Sequence, residues 1–79
     1  MWVMTPDGKD IFDAVYFHIA RNLGGKAGEK YAIQGFSAVS GLQSGYVCGL
    51  YPDEEKAAGE LEKVLTAVQE GVKVYKFSK

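Results

Sequence analysis

The chain has little of what usually announces a chemistry. Of its 79 residues one is cysteine, one histidine and two proline, and nine Lys and Arg stand against ten Asp and Glu. A lone cysteine, Cys48, cannot close an internal disulfide, which points to a reducing compartment. One His and one Cys fall short of the four ligands that a structural zinc takes, so no metal is expected. Charge of both signs is spread along the chain without a basic block, so nucleic acid is not an expected partner: a phosphate backbone is bound by clustered positive charge that releases counterions. No apolar run approaches the roughly 20 residues that span a bilayer, and Asp7, Lys9 and Asp10 interrupt the first apolar stretch before it reaches signal length. The expectation is a cytoplasmic protein without membrane partners.

What is present is enough to fold. The apolar fraction of 47% is ordinary for a globular protein, and 79 residues make one domain, near the lower limit at which a single core offsets chain entropy. "MWVMT" at residues 1–5 reads as a strand, running into the turn Pro6-Asp7-Gly8. Trp2 and Met4 alternate with Val3 and Thr5, so Trp2 is assigned to the buried side of that strand.

Residues 10–23, "DIFDAVYFHIARNL", fit two templates. As a helix, Ile11, Val15, Ile19 and Leu23 form a stripe, with Asp10 to cap it and Gly24 to end it. As strand, Val15, Phe17 and Ile19 alternate with Tyr16, His18 and Ala20. "GGKAGEK" (24–30) is a turn, Tyr31–Phe36 a strand, 37–44 a loop, and "YVCGLY" (46–51) a strand in which Gly49 marks a bulge or a close backbone approach. Residues 53–70 give the clearest signal: Asp53 at an N-cap, Glu54 and Glu55 in the first turn, and Ala57, Ala58, Leu61, Val64, Leu65 and Val68 as an apolar stripe. Lys56 and Glu60 are spaced for an i,i+4 ion pair, and Gly71 stops the helix. "VKVYKF" (72–77) alternates as a last strand, and Lys73, Lys76 and Lys79 read as protection of an edge. The predicted fold is α+β, an antiparallel sheet of five to six strands with one helix on one face, in the order β-β-β-β-β-α-β.

Two stretches, "MWVMTPDGKDIFDA" and "GLYPDEEKAAGELEKVL", resemble a group of small, mostly uncharacterised proteins of Gram-positive bacteria and their phages. The shared features are a Trp-containing first strand, and a Gly-x-Tyr followed by a capped helix. The resemblance covers roughly half the chain, implies strand rather than helix for residues 14–22, and implies no activity. The segment from Leu23 to Lys30 departs from the group's pattern.

Candidate chemistry is sparse. His18 and Cys48 are the only residues from which a base and a nucleophile could be drawn, and the plain reading is a half-buried imidazole and a buried thiol. A calcium loop starting at Asp7 fails, with Phe12 and His18 where Gly and Glu belong. "LGGKAGEK" fails as a phosphate cradle, since Gly28 precedes Glu29 and a strand follows. No cofactor and no catalytic residues are assigned. Ten aromatics in so small a chain read first as plain packing, rings buried and hydroxyls wet at a sheet margin, and second as anchors of an interface; on the second reading Tyr16, His18, Tyr31, Tyr46, Tyr51 and Tyr75 are the candidate binding residues. The expected function is a non-enzymatic accessory module of bacterial or phage origin that binds a protein partner or itself. One alternative is a phage protein that sequesters a nucleotide, with "GGKAGEK" as a lid; a weaker one is a minimal Cys48/His18 enzyme.

Overall fold

The computed structural model describes residues 1–38 and 45–77. Its elements are β1 (Trp2–Met4), β2 (Ile11–Arg21), β3 (Tyr31–Ser37), β4 (Tyr46–Tyr51), α1 (Glu54–Gln69) and β5 (Val74–Lys76). The strands form one sheet in the order β4-β3-β2-β1-β5. The domain is α+β and mostly antiparallel, as expected, with five strands and four of them ahead of the helix. Residues 11–21 form a single long strand, so the short extra strand anticipated there is absorbed into β2. The β-branched and aromatic run from Val15 to Ile19 prefers a pleated surface, and β3 supplies it with a partner along its whole second half.

Local chemistry fixes the connections. Gly8, at φ +73°, closes the β1–β2 turn, where Thr5 N–H donates to the Asp10 carbonyl and Gly8 N–H to the Thr5 carbonyl. Asp53 caps α1, its Oδ1 accepting from Lys56 N–H at 2.8 Å, and Gly71 at φ +73° ends the helix. The loop expected over 37–44 and Lys79 lie outside the described residues beyond residue 38 and residue 77.

β5 runs parallel to β1 rather than antiparallel, and the reason is reach. It lies four strand spacings from β4, roughly 19 Å away. A 16-residue helix covers about 24 Å, so α1 carries the chain from one edge of the sheet to the other.

Two bulges shape the sheet. Val15 is the extra residue between the pairs Ala14/Ser37 and Tyr16/Phe36, and Cys48 the extra residue between Ile33/Gly49 and Gln34/Val47. A bulge bends its strand and raises the local twist. Pro6 and Asp7 of the β1–β2 turn and Gly28 and Glu29 of the β2–β3 turn line one cavity.

The core lies between the sheet and α1. Val3, Phe12, Ala14, Ile33 and Cys48 from the sheet meet Ala57 and Val64 from the helix, together with Phe77. Gly35 belongs to this layer by necessity: a Cβ there would stand 2.8 Å from the Phe12 ring and 3.1 Å from the Cys48 sulfur.

Two expectations about burial are corrected. Trp2 is 49% exposed and Val3 is fully buried, so the two faces of β1 are the reverse of the expected ones. Register explains it: Val3 lies opposite Phe12 and Tyr75 under the helix, whereas Trp2 lies opposite Asp13 and Val74. The helix stripe is also narrower than predicted. Ala57, Val64 and Ala67 are buried and Leu61 is half-buried, while Ala58, Leu65 and Val68 face outward. Glu60, predicted to pair with Lys56, accepts a hydrogen bond from the Tyr75 hydroxyl at 2.7 Å and lies 3.8 Å from Lys63.

Candidate functional site

Residues paired across a sheet share a face, so the registers and the bulges together define the face that the helix does not cover. Outward rows read Asp13, Trp2, Val74; Ile11, Met4, Lys76; Tyr16, Phe36; His18, Gln34, Val47; and Ala20, Ala32, Leu50. Each row lies opposite in pleat to a core residue such as Val3, Phe12 or Ile33. An antiparallel sheet with one wet face normally alternates apolar inside with polar outside. Here that contrast is missing. Trp2, Ile11, Tyr16, Val47, Leu50 and Val74 are all between 42% and 56% exposed on this face, and Val15 in the bulge is 64% exposed.

The aromatics on the face hold one another in place. Tyr16 packs on Phe36 with ring centroids 5.3 Å apart, and stacks with His18 at 6.3 Å. The Phe36 ring lies close over Gly45, where a Cβ would stand 2.7 Å from it. The result is a broad and firmly built apolar surface, with Asp13 and Lys76 as its only charged side chains among the described residues. The Met1 amino group donates to Asp13 Oδ1 at 3.1 Å.

The six candidate binding residues divide between the two faces. Tyr16 and His18 belong to the uncovered one. Tyr31, Tyr51 and Tyr75 pack against the core, and Tyr46 stacks on buried Phe12 at 4.1 Å. Tyr31 lies beneath the Arg21 guanidinium at 5.8 Å, and the Tyr51 ring lies over Gly49, a side chain rather than the backbone expected to approach there, with the bulge at the adjacent Cys48. Burial and then the Glu60 carboxylate push the Tyr51 hydroxyl up to about 12. Burial and the hydrogen bond to Glu60 push that of Tyr75 up further. Sequence reasoning missed Trp2, Ile11, Phe36, Val47, Leu50 and Val74. The available signal was the parity of β1, which brings Ile11 and Val74 to the side of Trp2 once Val3 is assigned to the core; Phe36, Val47 and Leu50 follow only from the bulges at Val15 and Cys48.

Cys48 and His18 do not meet. The thiol is fully buried on the helix side, in contact with the core, and the imidazole sits on the opposite face. Burial pushes the thiol up to about 11, against a smaller opposing effect of the Gly35 backbone, so it is protonated and unreactive at neutral pH.

A cavity of about 640 Å³ runs along the β4 edge, bounded by Val47, Leu50 and Tyr51, by Pro6 and Asp7 of one turn, by Gly28 and Glu29 of the other, and by Glu60. Its charged lining is acidic throughout. Among the described residues no group of three or more His, Cys, Asp or Glu gathers closely enough to hold a metal ion, and no helix is long and apolar enough to cross a membrane. Compared with protein-family models, with curated proteins and with solved structures, the chain matches none.

Proposed function

We propose that this chain is a non-enzymatic interaction module, working in a bacterial or phage cytoplasm, whose operating surface is the sheet face opposite α1. The observation that supports it is the run of half-exposed apolar side chains from Trp2 through Tyr16 to Val47 and Leu50. Scattered apolar residues on a surface are ordinary, whereas a contiguous patch marks a surface that another molecule covers. Aromatic anchors with little charge are also what the centre of a protein interface contains.

The edges argue in the same direction. β5 is three residues long, with Lys73 just before it and Lys76 at its end, and β4 is interrupted by the Cys48 bulge. Short length, lysine and bulges all discourage strand addition. A partner therefore meets side chains on the face rather than backbone at an edge.

The test is a comparison of wild type with a double variant, Tyr16→Glu with Val47→Lys, in self-association and in affinity capture from a bacterial lysate. The reading expects an association that the variant loses while its circular dichroism is unchanged. Absence of any association that depends on these two residues contradicts it.

A nucleotide-sequestering reading draws support from the cavity, since Gly28 and Glu29 of the turn assigned as its lid stand at the wall. It ranks second because Asp7, Glu29 and Glu60 line the same space, and phosphate would meet like charge there. Nucleotides at high excess that leave the melting temperature unmoved would remove it.

A further inference from the structure

We infer that the occupant of the uncovered face is a second copy of this chain, two sheets meeting face to face about a two-fold axis to give a helix–sheet–sheet–helix sandwich. This inference rests on the function proposed above and names the partner of that surface.

Area supplies the first argument. The exposed parts of Trp2, Ile11, Tyr16, Val47, Leu50 and Val74 come to roughly 550 Å², near the top of what a lone monomer leaves in its largest apolar patch. With Phe36, His18, Gln34, Met4 and Val15 around them, the face approaches the roughly 800 Å² per partner of a stable complex. A copy of the same face matches that area on the other side.

Charge supplies the second. An isologous interface sets a surface against itself, so a face with several charges of one sign repels its own copy. This face has one acid, Asp13, and one base, Lys76, at different rows of the sheet. It is therefore compatible with itself. A docking face for a strongly basic or acidic partner would carry an excess of the opposite charge in these rows; the acids Asp7, Glu29 and Glu60 line the cavity at the β4 edge.

Geometry supplies the third. Two sheets pack face to face about 10 Å apart at a modest angle, with their inner side chains interdigitating. That arrangement uses relief of the kind found here, where large Trp2, Tyr16 and Phe36 lie toward one end of the face and small Ala20 and Ala32 sit side by side at the other. The helices stay on the two outer surfaces and take no part.

The experiment is sedimentation equilibrium of the full chain over a dilution series from micromolar to near-millimolar, with three variants. Tyr16→Glu and Val47→Lys each change the face at a half-exposed position; Leu65→Glu changes the outer side of α1, where Leu65 is 51% exposed. The inference expects twice the 8.6 kDa chain mass for wild type and for Leu65→Glu, and a weakening of at least tenfold for each face variant, Val47→Lys standing alone if Tyr16→Glu does not fold. A mass of 8.6 kDa at every concentration overturns it, as does a dimer that Leu65→Glu breaks and the face variants spare. A strict monomer that still captures another protein through Tyr16 and Val47 overturns the self-association alone and leaves the broader function standing.

Discussion

The two faces of this sheet are made of similar chemistry and end in opposite surroundings. The face under α1 is built of Val3, Phe12, Ala14, Ile33, Gly35 and Cys48, with Phe17, Ile19, Tyr31, Tyr46, Tyr51 and Tyr75 around them. The face away from it holds Trp2, Tyr16, Phe36, Ile11, Val47 and Leu50, with small Ala20 and Ala32 among them. Hydrophobic strength therefore does not decide which side is covered. α1 packs through Ala57 and Val64 on Val3, Ile33 and Cys48, which are fully buried, and the aromatic rings around that contact complete the covered face. The other face carries comparable apolar side chains, half-exposed and available to a partner.

The difference can be broken most severely from inside. Ile33→Ala removes a fully buried side chain at the centre of the covered face, and the expected cost is about 3 kcal/mol, within the range for large-to-small core changes, measured by urea denaturation. Gly35→Ala is expected to cost about 2 kcal/mol by overpacking, because the added methyl meets the Phe12 ring. A neutral Gly35→Ala would show that the covered layer is looser than its geometry requires.

Alkaline pH probes the same layer. Cys48 is raised from 9.0 to about 11 on folding. Below pH 9 the thiol is protonated in both states and has no effect on stability. Above it the unfolded chain ionises first and binds fewer protons, so stability falls between about pH 9 and 11. Tyr51, raised to about 12, adds a loss of the same sign above pH 10. A melting temperature that declines over this range in wild type and less in Cys48→Ala is the expected result; identical profiles would contradict the buried thiol.

The smallest expected effect lies on the uncovered face. Trp2→Ala should cost about 1 kcal/mol in dilute solution, since half of the indole is already in water, against the 3–5 kcal/mol typical of a buried tryptophan. A loss of the larger size would mean that Trp2 belongs to the core after all.

How far the sequence reaches is visible in these same residues. The helix was legible to within a residue at each end, because Asp53, Glu54, Glu55 and Gly71 are local signals with local causes. The turn at Pro6-Asp7-Gly8, the last strand and its place at an edge were legible for the same reason. Face assignment was not. Alternation in β1 separates Trp2 and Met4 from Val3 and Thr5 but carries no sign, and the sign is set by pairing with Phe12 and Tyr75, far away in sequence. The bulges at Val15 and Cys48 shift parity within a strand, so a strict period of two misplaces everything on one side of them. Of the candidate binding residues, Tyr16 and His18 reached the uncovered face; the remaining tyrosines were chosen for their chemistry, and register sent them to the covered side.

Acrylamide quenching of Trp2 fluorescence, recorded from dilute to concentrated protein, addresses the uncovered face most directly, because the chain has a single tryptophan and it sits on that face. Ready quenching when dilute, and shielding with a blue-shifted emission when concentrated, is the predicted result. An indole equally shielded at every dilution, or equally open at every concentration, would contradict the account.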